Sequence, residues 1–260
     1  MQWTPEASTM LDTRGRTDVD TPRANCHSNA YSSSHCSELW RKLRNFIIPA
    51  LMKKLLFVKC SPRGEVSKTT QIARAFLDEY RATHPHAHIE EMDIFNAALP
   101  EYAAEGATAK MSHFGEGEMA GPVKDAWERI QQIFAHFNSF DDYLFSIPMW
   151  NFGVPYKLKQ YIDILSQPGL LFGFDPAAGY LGMLRNKRAT AIYSSAIYFD
   201  GATPAFGTDH AQSHFSDWLR FSGISDAQHI FYQKYKMVSP EEAEAILNLC
   251  KEAARRSAAR

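Results

Sequence analysis

From residue 53 onward, short apolar runs alternate with longer segments in which apolar positions recur at helical spacing. Leu55-Leu56-Phe57-Val58 is unbroken by polar residues, the pattern of a strand buried on both faces. Ile72, Ala73, Phe76, Leu77 and Tyr80 then share one helical face. His88 to Met92 reads as a second strand, Tyr143 to Ile147 as a third, Ala189 to Tyr193 as a fourth and Gln228 to Tyr232 as a fifth. Between them, Val123, Trp127, Ile130, Phe134 and Phe137 define one amphipathic helix, and Leu158, Tyr161, Ile162 and Leu165 another. His210 to Phe221 is a further predicted helix. Ser239-Pro240-Glu241-Glu242 opens the last one, with Ser239 as N-cap, Pro240 at the first helical position and Glu242 closing a capping box. Residues 96–121 carry Gly106, Gly115, Gly117 and Gly121 and little period, and read as a long surface loop. Strands interleaved with helices predict an α/β fold built on a doubly wound parallel sheet of five strands.

Residues 1–51 lack this alternation. They are rich in Ser and Thr, include Ser32-Ser33-Ser34, and are expected to form a disordered N-terminal extension. Only 37–48 has the pattern of a short amphipathic helix. Met1 to Asp20 has no basic start followed by an apolar stretch, so it does not read as a secretory signal, and Asp12, Asp18 and Asp20 argue against a mitochondrial transit peptide. Met52-Lys53-Lys54 before the first strand looks like a natural beginning, and residues 52–260 are expected to form the functional domain.

Composition narrows the function classes. Hydrophobic residues make up 45% of the chain, enough for a sizeable core. Lys and Arg number 28 against 29 Asp and Glu, a net charge of -1, which argues against a nucleic-acid partner held by phosphate neutralisation. No apolar run approaches the roughly 18–20 residues of a membrane-spanning helix. Four cysteines are too few for a disulfide framework at this length, so a reduced, cytoplasmic location is expected.

In an open parallel sheet, ligands bind beyond the carboxyl ends of the strands. The loop after the first strand is Cys60-Ser61-Pro62-Arg63-Gly64-Glu65-Val66-Ser67-Lys68-Thr69 and leads into a helix. Hydroxyls at 61, 67 and 69 around a helix N-terminus suit a phosphate, although Ser67 or Thr69 could simply cap the helix. The G-x-x-x-x-G-K-[ST] and G-x-G-x-x-G patterns are absent, which disfavours a nucleoside triphosphatase or an NAD-binding Rossmann domain. Cys60 lacks the Arg six positions on that a phosphatase loop needs, since position 66 is Val, and is expected to be a packing residue. The loop after the third strand, Pro148-Met149-Trp150-Asn151-Phe152-Gly153-Val154-Pro155, offers a stiff backbone and a flat apolar wall for a planar heteroaromatic ring. His84-Pro85-His86-Ala87-His88 lies at the other end of the strands and reads as surface, so no metal is expected. No G-x-S-x-G anchors serine hydrolase chemistry.

These two loops resemble those of the FMN-dependent NADH-azoreductases, within the flavodoxin-like NAD(P)H:quinone reductase group. That family has a Ser-rich loop after strand one and a P-M-[YW]-N-F loop after strand three, matched here by Pro148 to Phe152, with Val154-Pro155, Leu158-Lys159, Gly169 and Phe172 following. The resemblance spans roughly Met52 to Tyr232. It implies a flavodoxin-like sheet of order 2-1-3-4-5 and FMN as cofactor. It implies NADH or NADPH as reductant, and an azo compound or quinone as acceptor in a ping-pong cycle. Ser61, Ser67, Lys68 and Thr69 would hold the FMN phosphate, Lys68 standing where many relatives have a neutral polar residue. Pro148, Met149, Trp150, Asn151, Phe152 and Ser194 would frame the isoalloxazine. Ala196 and Ile197 stand where the family's T-S-R-G-G loop has glycines, and Phe199 occupies the region of the family's active-site His. No side chain would act as a catalytic group, because the flavin carries the chemistry. The family pattern also implies a homodimer with shared sites. Phe172 and Phe174 would then cover the ring and the acceptor, and segments 96–121 and Leu170 to Tyr180 would serve as walls. A flavodoxin-like electron carrier or an FMN-binding regulatory module is the alternative, although carriers are typically small and strongly acidic.

Overall fold

The computed structural model describes residues 52–260; the expectations for 1–51, including the helix over 37–48, lie outside the described residues. Every expected strand forms. In chain order the strands are β1 (Lys54–Lys59), β2 (His88–Asp93), β3 (Asp142–Pro148), β4 (Phe172–Asp175), β5 (Gly179–Gly182), β6 (Arg188–Ser194) and β7 (Asp226–Tyr232). The helices are α1 (Lys68–Thr83), α2 (Ala104–Ser112), α3 (Gly121–Asn138), α4 (Tyr156–Leu165), α5 (His210–Ser222) and α6 (Pro240–Ala258). Five strands make a parallel sheet of order β2-β1-β3-β6-β7. That is the expected 2-1-3-4-5 order, renumbered because β4 and β5 form a separate antiparallel hairpin.

Strand periodicity explains the two layers of helices. Leu55 and Phe57 of β1, Leu144 of β3 and Ile192 of β6 point to one face, where α1 and α6 cover them with Ile72, Phe76, Leu247 and Cys250. Leu56, Val58, Tyr143, Phe145, Ile147 and Ala191 point to the other, where α3, α4 and α5 contribute Phe137, Leu158, Ile162, Phe215 and Trp218. The capping box at Ser239 forms as expected, with Ser239 Oγ accepting from Glu242 N–H (3.2 Å) and Glu242 Oε2 from Ser239 N–H (3.0 Å). Among the described residues, no helix is long and apolar enough to cross a membrane.

One segment differs from the sequence reading, and a second has structure that the sequence left unassigned. Residues 96–121 are not all loop, because Ala104–Ser112 forms α2. Its buried residues are Gly106 and Ala109, too small to create an apolar stripe, so no helical period was visible. Tyr102, Trp127 and Ile130 supply the bulk instead, and a Cβ on Gly106 would lie 3.2 Å from the Tyr102 ring. Residues 170–180, expected as a wall of the site with no secondary structure assigned, form most of the β4–β5 hairpin.

At the amino ends of the strands, Asp142 is buried with its charge retained. It accepts from Tyr80 OH (2.6 Å) and from Arg188 Nε and Nη2 (2.7 and 2.9 Å). Burial alone would raise its pKa, but the bonds from Arg188 and Tyr80 outweigh that and hold the carboxyl below its ordinary value. A depressed carboxylate stabilises the fold above its unfolded pKa, about 3.9, and loses that contribution as pH falls through the lower folded value. Asp142→Asn should therefore cost about 2 kcal/mol at pH 7. In denaturant titrations the gap to the unmodified chain should narrow as pH falls below the ordinary carboxylate range and the Asp142 carboxylate is protonated. A gap independent of pH would show that charge plays no part.

Candidate functional site

The parallel sheet brings the carboxyl ends of β1 and β3 side by side, where Cys60 N–H donates to Ser146 C=O (3.2 Å). The order reverses there, because β1 leads outward to β2 while β3 leads to β6, so the two candidate loops open beside one crevice.

The first loop ends in a short 3-10 turn, Gly64–Val66, and enters α1 at Ser67. Ser67 stands at the N-cap, yet its side chain makes no capping bond. Its hydroxyl pairs instead with Thr69 Oγ1 at 3.0 Å, both residues being buried. The first helical bond runs from Gln71 N–H to Ser67 C=O (3.0 Å), so the N–H groups of Lys68, Thr69 and Thr70 precede the ladder. The buried hydroxyls of Thr70 and Ser146 have no partner. Ser61 is buried too, and its Oγ accepts from Arg63 N–H at 3.3 Å. Lys68 is half-buried with its amine toward Gln71 (3.5 Å). Hydroxyls and amides outnumbering their acceptors at a helix N-terminus are the donor set an anion completes, so the residues present fit a phosphate.

The second loop is a tight turn closed by two bonds, Trp150 N–H to Gly153 C=O and Gly153 N–H to Trp150 C=O, both 3.0 Å. Its central residues, Asn151 and Phe152, have φ of 49° and 66°. Asn tolerates that region, whereas a bulky aromatic there is strained and needs support. The support is nonlocal: Phe152 C=O accepts from His210 N–H (2.9 Å), and its ring packs where a Cβ on Gly207 would sit, 2.2 Å from Cε1. Pro148 is buried at the end of β3, and Met149 N–H donates to Ser194 C=O (2.8 Å), tying the turn to β6. Trp150 and Phe152 remain about half exposed. Ala196 and Ile197 both avoid positive φ, so that stretch of backbone needs no glycine, and Ala196 C=O accepts from Lys236 N–H (2.9 Å). Phe199 lies near Phe206, with Lys234 Nζ 4.8 Å from its ring centre.

A cleft of about 880 Å³ runs from Pro62 of the first loop past Trp150 and Asn151 to Phe95, Tyr102 and Tyr156. Pockets for drug-sized ligands span about 300–1,000 Å³. The sequence reading missed Phe95, Tyr102, Gly207 and His210. Phe95 and Tyr102 carried a signal only in following β2, another strand whose carboxyl end faces this side, while Gly207 and His210 carried none. Phe172 and Phe174 sit on the hairpin. Phe172 is buried against Phe221 and Tyr180, with ring centres 4.7 and 5.6 Å away, while Phe174 is 60% exposed. Cys60 is fully buried, and burial, with Asp93 adding to it, pushes its thiol far above the ordinary value, which fits a packing residue rather than a nucleophile.

Comparison with known proteins agrees with this geometry. A family profile described as a flavodoxin-like fold matches residues 53–257. An FMN-dependent NADH:quinone oxidoreductase of Ruegeria pomeroyi is 39% identical over 192 residues, covering 74% of this chain and 94% of the relative. A second protein of that description, from Burkholderia lata, is 37% identical over 70% of this chain and 88% of its own length. Among solved structures, an azoreductase from Bacillus anthracis superposes with a TM-score of 0.72 at 23% identity, over 80% of this chain and 99% of that one, a likeness of fold. The profile match across nearly all of the described residues, with these identities, places the chain in the flavodoxin-like family to which the FMN-dependent NADH:quinone oxidoreductases belong.

Proposed function

We propose that the chain is an FMN-dependent oxidoreductase carrying electrons from NADH to a quinone or an azo compound. The observation that carries this reading is the placement of an unsatisfied anion cradle, Ser67 to Thr70, beside a strained aromatic turn, Trp150 to Gly153, at adjacent strand ends. The names of the relatives support the same chemistry. Ser61, Ser67 and Thr69 would hold the phosphate with the Lys68 N–H. Pro148, Met149, Trp150, Asn151, Phe152 and Ser194 would frame the ring, Asn151 through its backbone N–H at the head of the turn. FMN, when bound, supplies the hydride acceptor and electron donor, so the protein's part is to orient the ring and exclude water.

One cleft serving both substrates means that NAD+, left after NADH has given up its hydride, would have to depart before the acceptor enters, which supports a ping-pong cycle. Of the two hairpin phenylalanines, exposed Phe174 would be the one to meet the acceptor, while buried Phe172 seats the hairpin. Exposed Phe174, Tyr180, Leu181 and Met183 on one hairpin support a homodimer, and the free thiols of Cys60 and Cys250 fit a cytoplasmic location. The test is direct. Purified protein should be yellow and dimeric by light scattering, and should oxidise NADH with benzoquinone or an azo dye along parallel double-reciprocal lines. A folded, colourless protein that takes up no added FMN would sink the reading. FMN binding without NADH oxidation would leave the electron carrier or regulatory module.

A further inference from the structure

The first loop contains one carboxylate, Glu65, two residues before the paired hydroxyls. A free carboxylate there has the wrong charge beside a phosphate. It also has the right chemistry to take the phosphate's place, because the N–H groups of a helix N-terminus accept any anion. Tethered so close, it would compete at high effective concentration. The structure keeps it elsewhere. Arg74, in the second turn of α1, grips it with two donors, Nε to Oε2 (3.1 Å) and Nη2 to Oε1 (2.6 Å). The third donor, Nη1, reaches Glu91 Oε1 on β2 (2.6 Å), and the guanidinium lies 5.7 Å from the Phe57 ring centre. Arg74 is thus fixed from two further directions while both carboxylate oxygens of Glu65 are engaged by its guanidinium. Gln71 Nε2 restrains the same turn through Glu65 C=O (3.4 Å).

Building on the proposed FMN site, we infer that Arg74 is a positioning residue that keeps the Glu65 carboxylate from competing with the cofactor phosphate. Arg74 also bridges α1 to β2, and a mere brace must be told apart from a guard. Apoprotein titrated with FMN and, in parallel, with riboflavin, which lacks the phosphate, separates them. Arg74→Met should weaken FMN binding about tenfold and leave riboflavin binding within about twofold. Glu65→Gln should bind FMN about as well as the unmodified chain, and adding it to Arg74→Met should restore most of the lost affinity. Glu91→Gln, which cuts the brace but leaves the Glu65 grip, should leave FMN binding unchanged and does not depend on Arg74→Met folding. Equal losses for FMN and riboflavin, a double variant no better than Arg74→Met, or a Glu91→Gln loss matching it would each overturn the inference. Folded apoprotein that binds neither flavin would instead overturn the FMN reading itself, and this inference with it.

Discussion

Replacing Ser67 and Thr69 together by alanine is expected to weaken FMN binding at least about 100-fold, since each charge-assisted bond to phosphate contributes about 1.5–3 kcal/mol. Every 1.4 kcal/mol is about a factor of ten in affinity, so two lost bonds reach that mark at the lower bound. The two hydroxyls bond to each other at 3.0 Å, so either single variant leaves its neighbour unpaired in a buried site. Single losses should therefore not add simply to the double. Riboflavin affinity should change little, because it offers these hydroxyls no anion. The check is fluorescence titration of apoprotein with both flavins. Unchanged FMN affinity in the double variant would place the phosphate elsewhere.

Among the described glycines, Gly182→Ala is expected to be the most damaging methyl addition. A Cβ at Gly182 would lie 2.2 Å from Gly223 N and 2.5 Å from Gly223 Cα, both backbone atoms. Gly223 cannot move aside easily. At φ 97° it terminates α5 in a Schellman arrangement, with Gly223 N–H bonded to Arg220 C=O (3.0 Å) and Ile224 N–H to Leu219 C=O (2.9 Å). Leu184 N–H to Ser222 C=O (3.0 Å) fastens the chain beyond the hairpin to the same helix end. Overpacking typically costs about 1–3 kcal/mol, and a clash with fixed backbone belongs at the top of that range. For a domain of this size that is a fall in Tm of about 6–12 °C. The β4–β5 hairpin should also become more open to proteolysis, since Phe172 packs on Phe221 of the same helix. A Tm within about 2 °C of the unmodified protein, with the hairpin still protected, would mean that the two backbones separate at little cost.

The placement of Phe152 illustrates where reading from the sequence stops. The aromatic loop was recognisable as a ring-binding segment from its residue types, and the structure sets it at the expected strand end. Its left-handed backbone was not recognisable, because nothing local favours positive φ at a phenylalanine. That conformation is held by His210 N–H and by the space Gly207 leaves, contacts more than 50 residues away along the chain. Ser67 is a parallel case. Its type and position suit either a side-chain cap or a phosphate ligand; in the fold it occupies the N-cap, but its hydroxyl turns to Thr69, which leaves the helix N-terminus open to an anion.

What the amino-acid sequence determined by itself is whatever depends on local periodicity. The five sheet strands, most of the helices around them and the capping box at Ser239 follow from side-chain spacing that only one backbone geometry can bury. The strand order and the FMN-type loops were legible through resemblance, because residues that touch a shared ligand keep their types in a recognisable order. Tertiary structure alone decided α2, the β4–β5 hairpin, the turn at Phe152 and the grip of Arg74 on Glu65. Each depends on small residues or on long-range partners. A glycine or alanine carries no period, and a buried contact between distant segments leaves no trace in either segment until the chain brings them together.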